Sequence, residues 1–556
     1  MISMRYAQNL SAGHGLTWNP GEPPVAGYTN LLWTLWMALL HFIPVPDSKT
    51  SLLVMASGVP ILLRHAWCCG RIASCLRPQA RWIFQATTVF CAAFYPLAYW
   101  TLRGMEVGLL ALLIGQGVWY VVQLEDGNEK DRRRIVTRLA LCLALGVLTR
   151  DDFAVPALVL IAGAVAVVPT RRVGLFLGLT GAMAMTLASL FAFRIAYSGD
   201  WLPNTYYLKI SGIPASVRVA RGISALWTTT LFSLGPAALL IAWHAFSFTD
   251  RRRKAEWMLF ALVMAQVAYG VYVGGDAWEW MEYANRYLSV AAAPFAVLSV
   301  VALSDLSTRY QISLPDARLH SGVDWKVWRP DLGGVVLAFL MWRLIQYADA
   351  GPRRIDALTS VGLVRHAWPT YAIWILIGCM LSARALHGQA PRWSVLAWRG
   401  ALLTALAVAV NARAWSDWGE YNAAQWKDEM GWTRYGVTLG QATPEAARIA
   451  VSSAGAITYF SRRRTVDLLG KNDSAIARMN PARTDFPPGH MKWNYAYSIG
   501  FLRPELIAET FGAAPADYAN FSLWGYVEIW PGLAYARADV AGVDREAIRR
   551  VLLETR

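Results

Sequence analysis

Long apolar runs recur along the first three quarters of this chain, and short turns rich in Arg and Lys separate them. In lipid a backbone must satisfy its own hydrogen bonds, which leaves helices or closed barrels. Runs approaching ~20 residues without strand-like alternation select helices. The chain has 556 residues and only 16% are charged, too few to solvate one large water-soluble body of that size. The reading is a polytopic α-helical membrane protein. The net charge of +15 does not argue for nucleic acid, because the cations concentrate in the turns. That is the positive-inside pattern, and it suits contact with anionic membrane lipids. The six cysteines are Cys68, Cys69, Cys75, Cys91, Cys142 and Cys379. Most lie in or beside apolar runs without metal-ligand spacing, so neither a disulfide framework nor a zinc site is predicted.

The basic turns orient the runs. Arg64, Arg71, Arg77 and Arg81 mark one cytoplasmic segment, and residues 130–134, 171–172 and 251–254 mark others. Crossings are then expected at about 48–63, 83–101, 105–123, 137–149, 154–169, 173–196, 226–248, 256–273 and 287–304. Residues 31–45 are short for a span and carry Trp33, Trp36 and His41, which suits a helix lying in the outer interface. After a polar stretch at 305–332, further runs at about 333–348, 369–385 and 397–413 bring the total to roughly twelve crossings. Residues 1–30 contain Gly13, Gly15, Pro20, Gly21, Pro23, Pro24 and Gly27 and read as ordered loop. From about residue 414 the composition changes to β-like runs at 448–460 and 465–469, with amphipathic helices near 503–511 and 544–554. The domain plan is a substrate loop at 1–30, a transmembrane domain at 31–413 and a soluble α/β domain at 414–556. The first and last share the extracytoplasmic side.

That side collects the unusual loops, at residues 99–106, 148–153, 197–209 and 274–287. Carboxylates suited to acid–base work there are Asp276, Glu106, Asp152 and Asp200. Cations suited to a phosphate leaving group are Arg5, Lys209 and Arg286. Polar and aromatic side chains suited to a sugar or acceptor are Tyr6, Asn19, Tyr28, Asn204, Trp278, Glu279 and Asn285. Each has a structural alternative. Glu106 fits a helix's first turn, and Asp151 or Asp152 fits a helix N-cap. Asp200 and Asn204 fit ordinary turns, and Trp278 and Trp280 fit an aromatic belt. Asp276 follows two glycines and is either a functional carboxylate or the ion-pair partner of Arg286. His14 and His490 read as hydrogen-bonded structural groups.

The run Arg5-Tyr-Ala-Gln-Asn-Leu-Ser-Ala-Gly-His-Gly-Leu-Thr-Trp-Asn-Pro-Gly-Glu22, followed by Gly27-Tyr-Thr-Asn30, resembles the GT-C membrane glycosyltransferases. Within them it looks most like the terminal arabinofuranosyltransferases. Gly455-Ala-Ile-Thr-Tyr-Phe460, Asp467-Leu-Leu-Gly-Lys-Asn-Asp473 and Pro488-Gly-His-Met-Lys-Trp493 extend the resemblance. It implies an inner-membrane, multi-pass enzyme with its active site on the extracytoplasmic face. That enzyme would move an arabinofuranose-like sugar from a polyprenyl-phosphate donor to a glycan or glycoconjugate acceptor. No cofactor and no metal ligand is assigned, and a divalent cation is left open. The family places a first transmembrane helix, a thirteenth crossing, and an Asp-Asp pair just ahead of this loop. Here the chain begins Met1-Ile-Ser-Met, so that helix and pair are expected outside this sequence. The chain as numbered is accordingly expected to be inactive or nearly so. The rival readings are a flippase for a lipid-linked glycan, which predicts inverted repeats and midplane charges, and an inactive homologue.

Overall fold

The computed structural model describes residues 1–127, 129–230, 234–246, 254–276, 284–309 and 426–555. The runs expected at about 333–348, 369–385 and 397–413 lie outside the described residues, as do Trp278, Glu279 and Trp280.

The chain opens with a helix, α1 (Ile2–Ser11), where loop was expected. The Gly and Pro punctuation begins only at Gly13, whose φ of +82° stops the helix. The turn-rich loop is confined to residues 12–30. The bundle then comprises α2 (Leu31–His41), α3 (Asp47–Leu76), α4 (Ile83–Ala93), α5 (Tyr95–Leu102), α6 (Val107–Glu125), α7 (Glu129–Thr149), α8 (Ala154–Val167), α9 (Arg172–Ser198), α10 (Asn204–Ile210), α11 (Ala215–Thr229), α12 (Gly235–Phe246), α13 (Lys254–Val273), α14 (Arg286–Ser289) and α15 (Ala292–Arg309). Among the described residues, α3, α6, α9 and α13 are long and apolar enough to cross a bilayer. Helix α3 continues to Leu76, so Arg64 and Arg71 stand on a helix and not in a loop. Arg64 covers the Trp67 ring at 4.2 Å and Arg71 the Trp119 ring at 5.6 Å, contacts that let long cationic side chains ride an apolar helix. The run at 83–101 breaks at Phe94, where ψ is 95°. Pro96 lacks the amide that would continue α4 and fits the first turn of α5.

Helices α3, α4, α6 and α15 share one core around Ile72, Ile83, Ile114 and Val297. Helix α5 wedges between α3 and α6 because Gly58 and Gly108 both face Thr101. A Cβ at either would lie 2.4 Å from a Thr101 atom, closer than side chains tolerate. The two ends of the bundle differ in chemistry. At one, Arg132 donates to the Thr170 carbonyl (2.6 Å), Lys254 to the Ala166 carbonyl (2.9 Å), and Arg77 pairs with Glu256 (2.8 Å) and Asp305 (2.6 Å). These are the basic turns. The Lys254 amide also donates to Glu125, at the C-terminal end of α6. Glu106, at the other end of α6, therefore marks the opposite face.

Helix Trp426–Ala442 leads into a five-stranded sheet of β1 (Arg448–Val451), β2 (Arg464–Asp467), β3 (Leu506–Ile507), β4 (Tyr526–Trp530) and β5 (Ala534–Arg537), in the order β2-β1-β3-β5-β4. Strands β2, β1 and β3 are parallel, and β5 is antiparallel to both β3 and β4. Helix Arg545–Thr555 falls where an amphipathic helix was expected. The stretch at 448–460 is strand only at its start and becomes helix Ala456–Ser461 after Gly455. Residues 503–511, expected as amphipathic helix, contain β3 instead. Leu506, Ile507 and Ala508 are all buried at the centre of the sheet, so the polar alternation of a half-exposed strand never shows.

Residues 1–30 complete the core of this domain. Tyr6, Leu16, Trp18 and Tyr28 pack with Leu439, Ile449, Leu506 and Ile548. Asn19 pairs with the free edge of β2: its Nδ2 donates to the Thr465 carbonyl (2.9 Å) and the Thr465 amide donates to its Oδ1 (3.0 Å). The N-terminal segment and the sheet domain therefore sit together on one side of the bundle.

A buried ammonium locks this domain to the bundle. Lys492 is 0% exposed, and its Nζ donates to the carbonyls of Tyr207 (3.0 Å), Ser211 (2.7 Å) and Ala477 (2.7 Å). Burial pulls its pKa down to about 8, which leaves it cationic at neutral pH. Lys492→Met keeps the stem and strands three buried carbonyls. A loss of about 2–4 kcal/mol is expected, read as a lower melting temperature and faster proteolytic release of residues 426–555. An unchanged melting curve would show that Lys492 does not hold the junction.

Candidate functional site

The face marked by Glu106 gathers the chemistry, and Tyr287 stands at its centre. Asn285 caps α14 by accepting from the Tyr287 and Leu288 amides (2.9 and 3.1 Å), while Gln266 of α13 donates to the Tyr287 carbonyl (2.9 Å). The ring is fixed from both sides. Lys209, in the last turn of α10, donates to the Tyr287 hydroxyl (2.9 Å). The guanidiniums of Arg150 and Arg286 lie 5.4 and 5.5 Å from its centroid.

Carboxylates compensate most of that charge. Arg286 pairs with Asp276 (3.0 Å), and its own backbone amide is 3.4 Å from the same carboxylate. Arg150 reaches Glu106 (3.3 Å) and grips Asp152 through two nitrogens, the Nε contact being 3.1 Å. Asn30 donates to the other Glu106 oxygen (2.9 Å). Tyr269 donates to Asp152 (2.8 Å) and Arg194 to Asp151 (2.6 Å). Neither Asp151 nor Asp152 caps a helix through its side chain, so the N-cap alternative gives way to ion pairing. The Asp152 side chain is 18% exposed, against 3% for Glu106 and 0% for Asp276. A small cavity of about 10 Å³, room for one water, is lined by Arg150, Asp152, Gln266 and Tyr287.

Within this cluster Lys209 and Lys471 make no ion pair with a carboxylate of the described residues. Lys471 contacts the His490 imidazole at 3.4 Å. Burial, and then the Lys471 charge, hold the His490 pKa near about 2, so the ring is neutral and its Nε2 accepts. Burial also lowers the Lys471 pKa, and the nearby Lys209 charge adds to that. Asn204 positions this loop by donating to the carbonyls of Gly470 (2.9 Å) and Lys471 (3.0 Å). A second, small and almost wholly apolar cavity of about 30 Å³ is walled by Phe94, Pro96, Val267, Asn285, Leu288 and Phe295.

Of the residues selected from sequence, the structure brings together Glu106, Asp152, Lys209, Asp276, Asn285 and Arg286. It places others at the interface between segments. Arg5 donates to the carbonyls of Trp18 and Arg463, both at 3.2 Å, and takes no part in the Tyr287 cluster. Tyr6 lies between the Val25 carbonyl (2.8 Å) and Asn472 (3.0 Å), with Tyr28 edge-on to its ring at 4.9 Å. Asn19 extends β2, and Asp200 pairs with Arg478. These are docking contacts. Trp278 and Glu279 are outside the described residues. Sequence reasoning missed Arg150, Arg194, Tyr269, Tyr287 and Lys471. Arg194 carried a usable signal, an ionisable residue inside an apolar run.

The bundle of apolar helices with its polar site at one end, beside a small sheet domain, is a fold this chain shares with known structures. Two solved structures carry that likeness, both of ArnT from Cupriavidus metallidurans. The form bound to undecaprenyl phosphate is 11% identical with a TM-score of 0.53, over 98% of this chain and 94% of that one. The apo form is 13% identical with a TM-score of 0.50, over 96% and 93%. Residues 418–541 match a family described as a domain of unknown function, DUF8728. No curated protein sequence matches.

The geometry makes Asp276 the counter-ion of Arg286. Asp276→Asn would leave that guanidinium uncompensated, a change expected to cost about 3–5 kcal/mol. Melting temperature and the affinity of this cluster for inorganic phosphate should fall together. Loss of turnover with both preserved would return Asp276 to a catalytic role.

Proposed function

We propose that this chain is a GT-C-type glycosyltransferase that takes a sugar from a polyprenyl-phosphate donor. Its acceptor is a hydroxyl of a glycan or glycoconjugate on the extracytoplasmic face of the inner membrane. The observation that supports this most is the grouping of Lys209 and Lys471, neither in an ion pair with a carboxylate of the described residues, with Tyr287 and Arg286 at one end of an apolar bundle. A lipid phosphate has that polarity, with an anionic head and an apolar tail. The likeness to ArnT crystallised with undecaprenyl phosphate points the same way. The N-terminal motif favours an arabinofuranose-like pentose as the sugar.

In the reaction the acceptor oxygen attacks the anomeric carbon, and the bond from that carbon to the phosphate oxygen breaks. Polyprenyl phosphate leaves, and the acceptor proton passes to a base. Asp152 is the base in this reading, because it is more exposed than Glu106 or Asp276 and lines a cavity. Lys209, Lys471 and Arg286 hold the phosphate as its charge grows.

Protein carrying the upstream helix and Asp-Asp pair that the resemblance implies, given labelled polyprenyl-phosphate arabinofuranose and an acceptor glycan, should transfer the label, and the chain as numbered should transfer little or none. Asp152→Asn is expected to slow transfer by ~10²–10⁴ while donor binding persists. Near-normal transfer by that variant would remove Asp152 as the base. Donor binding by the wild type without transfer, but with movement of the lipid between leaflets, would favour the flippase. The side of the membrane is tested separately. A reporter at residue 127 should read cytoplasm and one after Arg556 the extracytoplasmic side, and the reverse pattern would invert the topology.

A further inference from the structure

A second cluster lies inside the bundle, away from the carboxylates and cations of the site. His65 and Cys69 are one turn apart on the same face of α3, and Cys91 stands on α4, which packs along α3. One donor atom from each lies within 4.8 Å of the others, and His65 Nε2 is 3.7 Å from Cys69 Sγ. His65 and Cys69 are 0% exposed and Cys91 is 1%. The His65 Nδ1 is also buried and finds no hydrogen-bond partner among the described residues.

We propose that His65, Cys69 and Cys91 bind a monovalent copper ion. An imidazole buried in a membrane-spanning helix is costly unless it serves a partner, and an unsatisfied ring nitrogen adds to that cost. Buried cysteines alone would be unremarkable core residues. Two thiols converging with such an imidazole are not. Metal–donor bonds of ~2.0–2.3 Å put donor atoms up to roughly 4.5 Å apart around one ion, so sub-ångström side-chain shifts close the site. The chemistry selects the metal. Two sulfurs and one nitrogen form a soft set that favours Cu(I) or zinc over magnesium, calcium or manganese. Structural zinc takes four ligands, and only three donors meet here among the described residues. Cu(I) accepts three. Binding forms two Cu–S bonds and one Cu–N bond, releases thiol protons to solvent, and moves no electron. The ion would staple α3 to α4 and stands independently of the transferase reading.

The test uses full-length protein, purified in detergent under reducing, oxygen-free conditions and titrated with Cu(I) against a chromogenic chelator. About one Cu(I) per chain is expected, with sulfur and nitrogen neighbours by X-ray absorption and a raised melting temperature. Cys69→Ser, Cys91→Ser and His65→Leu should each weaken binding by about 10–100-fold or more, since loss even of an outer-shell partner costs that much. Cys142→Ser, a buried cysteine outside the triad, should leave binding unchanged. If the triad variants fail to fold, the wild-type stoichiometry and absorption spectrum still decide. No bound copper, equal binding by the Cys69→Ser/Cys91→Ser double variant, tighter binding of Zn(II), or a Cys69–Cys91 disulfide as the sole product would each overturn the proposal.

Discussion

A guanidinium keeps its proton at any physiological pH, so each one carried out of water must bring an anion with it. Three arginines meet that condition at one end of this bundle, and the helices are arranged as their pairs require. Arg150 ties the start of α6 to the α7–α8 turn through Glu106 and Asp152. Arg194 ties α9 to the same turn through Asp151. Arg286 ties α14 to the end of α13 through Asp276. Apart from Arg150–Asp152, which lies within the turn, each pair spans two elements, so none of these can shift without exposing a buried charge to apolar surroundings. What is left over is informative. Lys209 and Lys471 come from different parts of the fold and carry charges that no carboxylate of the described residues pairs with.

The ring of Tyr287 gives this arrangement its rigidity. Its amide and carbonyl are held by Asn285 and Gln266, and its hydroxyl meets Lys209. A phenol has few rotamers, and three cations around one fixed ring are pre-aligned before any anion arrives. Such pre-alignment lowers the ordering cost of binding and keeps electrostatic stabilisation available at the moment charge develops.

The helical, membrane-embedded class was legible because apolar length and basic turns report directly on lipid. The acids at the ends of spans were legible for the same reason: charge there is expensive and stands out. Roles were harder. Tyr6, Asn19, Tyr28 and Asn204 sit in aromatic, polar loops that suit a sugar, yet they hold one protein surface against another. A hydrogen-bonding amide looks the same in sequence whether its partner is a hydroxyl of a ligand or the backbone of Thr465. Helix α1 was hidden because the glycines and prolines just after it set the character of the whole segment. Strand β3 was hidden because a doubly covered strand loses its alternation. Cys69 and Cys91 come together only through the packing of α3 on α4, which no local spacing announces.

The pairing of Asn19 with β2 bears on how such a chain is made. The sheet domain draws part of its core from residues 6–28, which leave the ribosome long before β1 does. Until the intervening helices have been threaded into the bilayer, Tyr6, Trp18 and Tyr28 have no partner surface, and β2 later emerges with an open edge. An open edge invites pairing with a neighbouring chain. Membrane insertion and domain closure are therefore coupled in time. A chain stalled with one span misoriented would carry its two halves on opposite sides of the bilayer, unable to meet. It would be left with a raw strand edge and exposed aromatic surface, the marks by which quality-control proteases distinguish an unfinished membrane protein from a finished one.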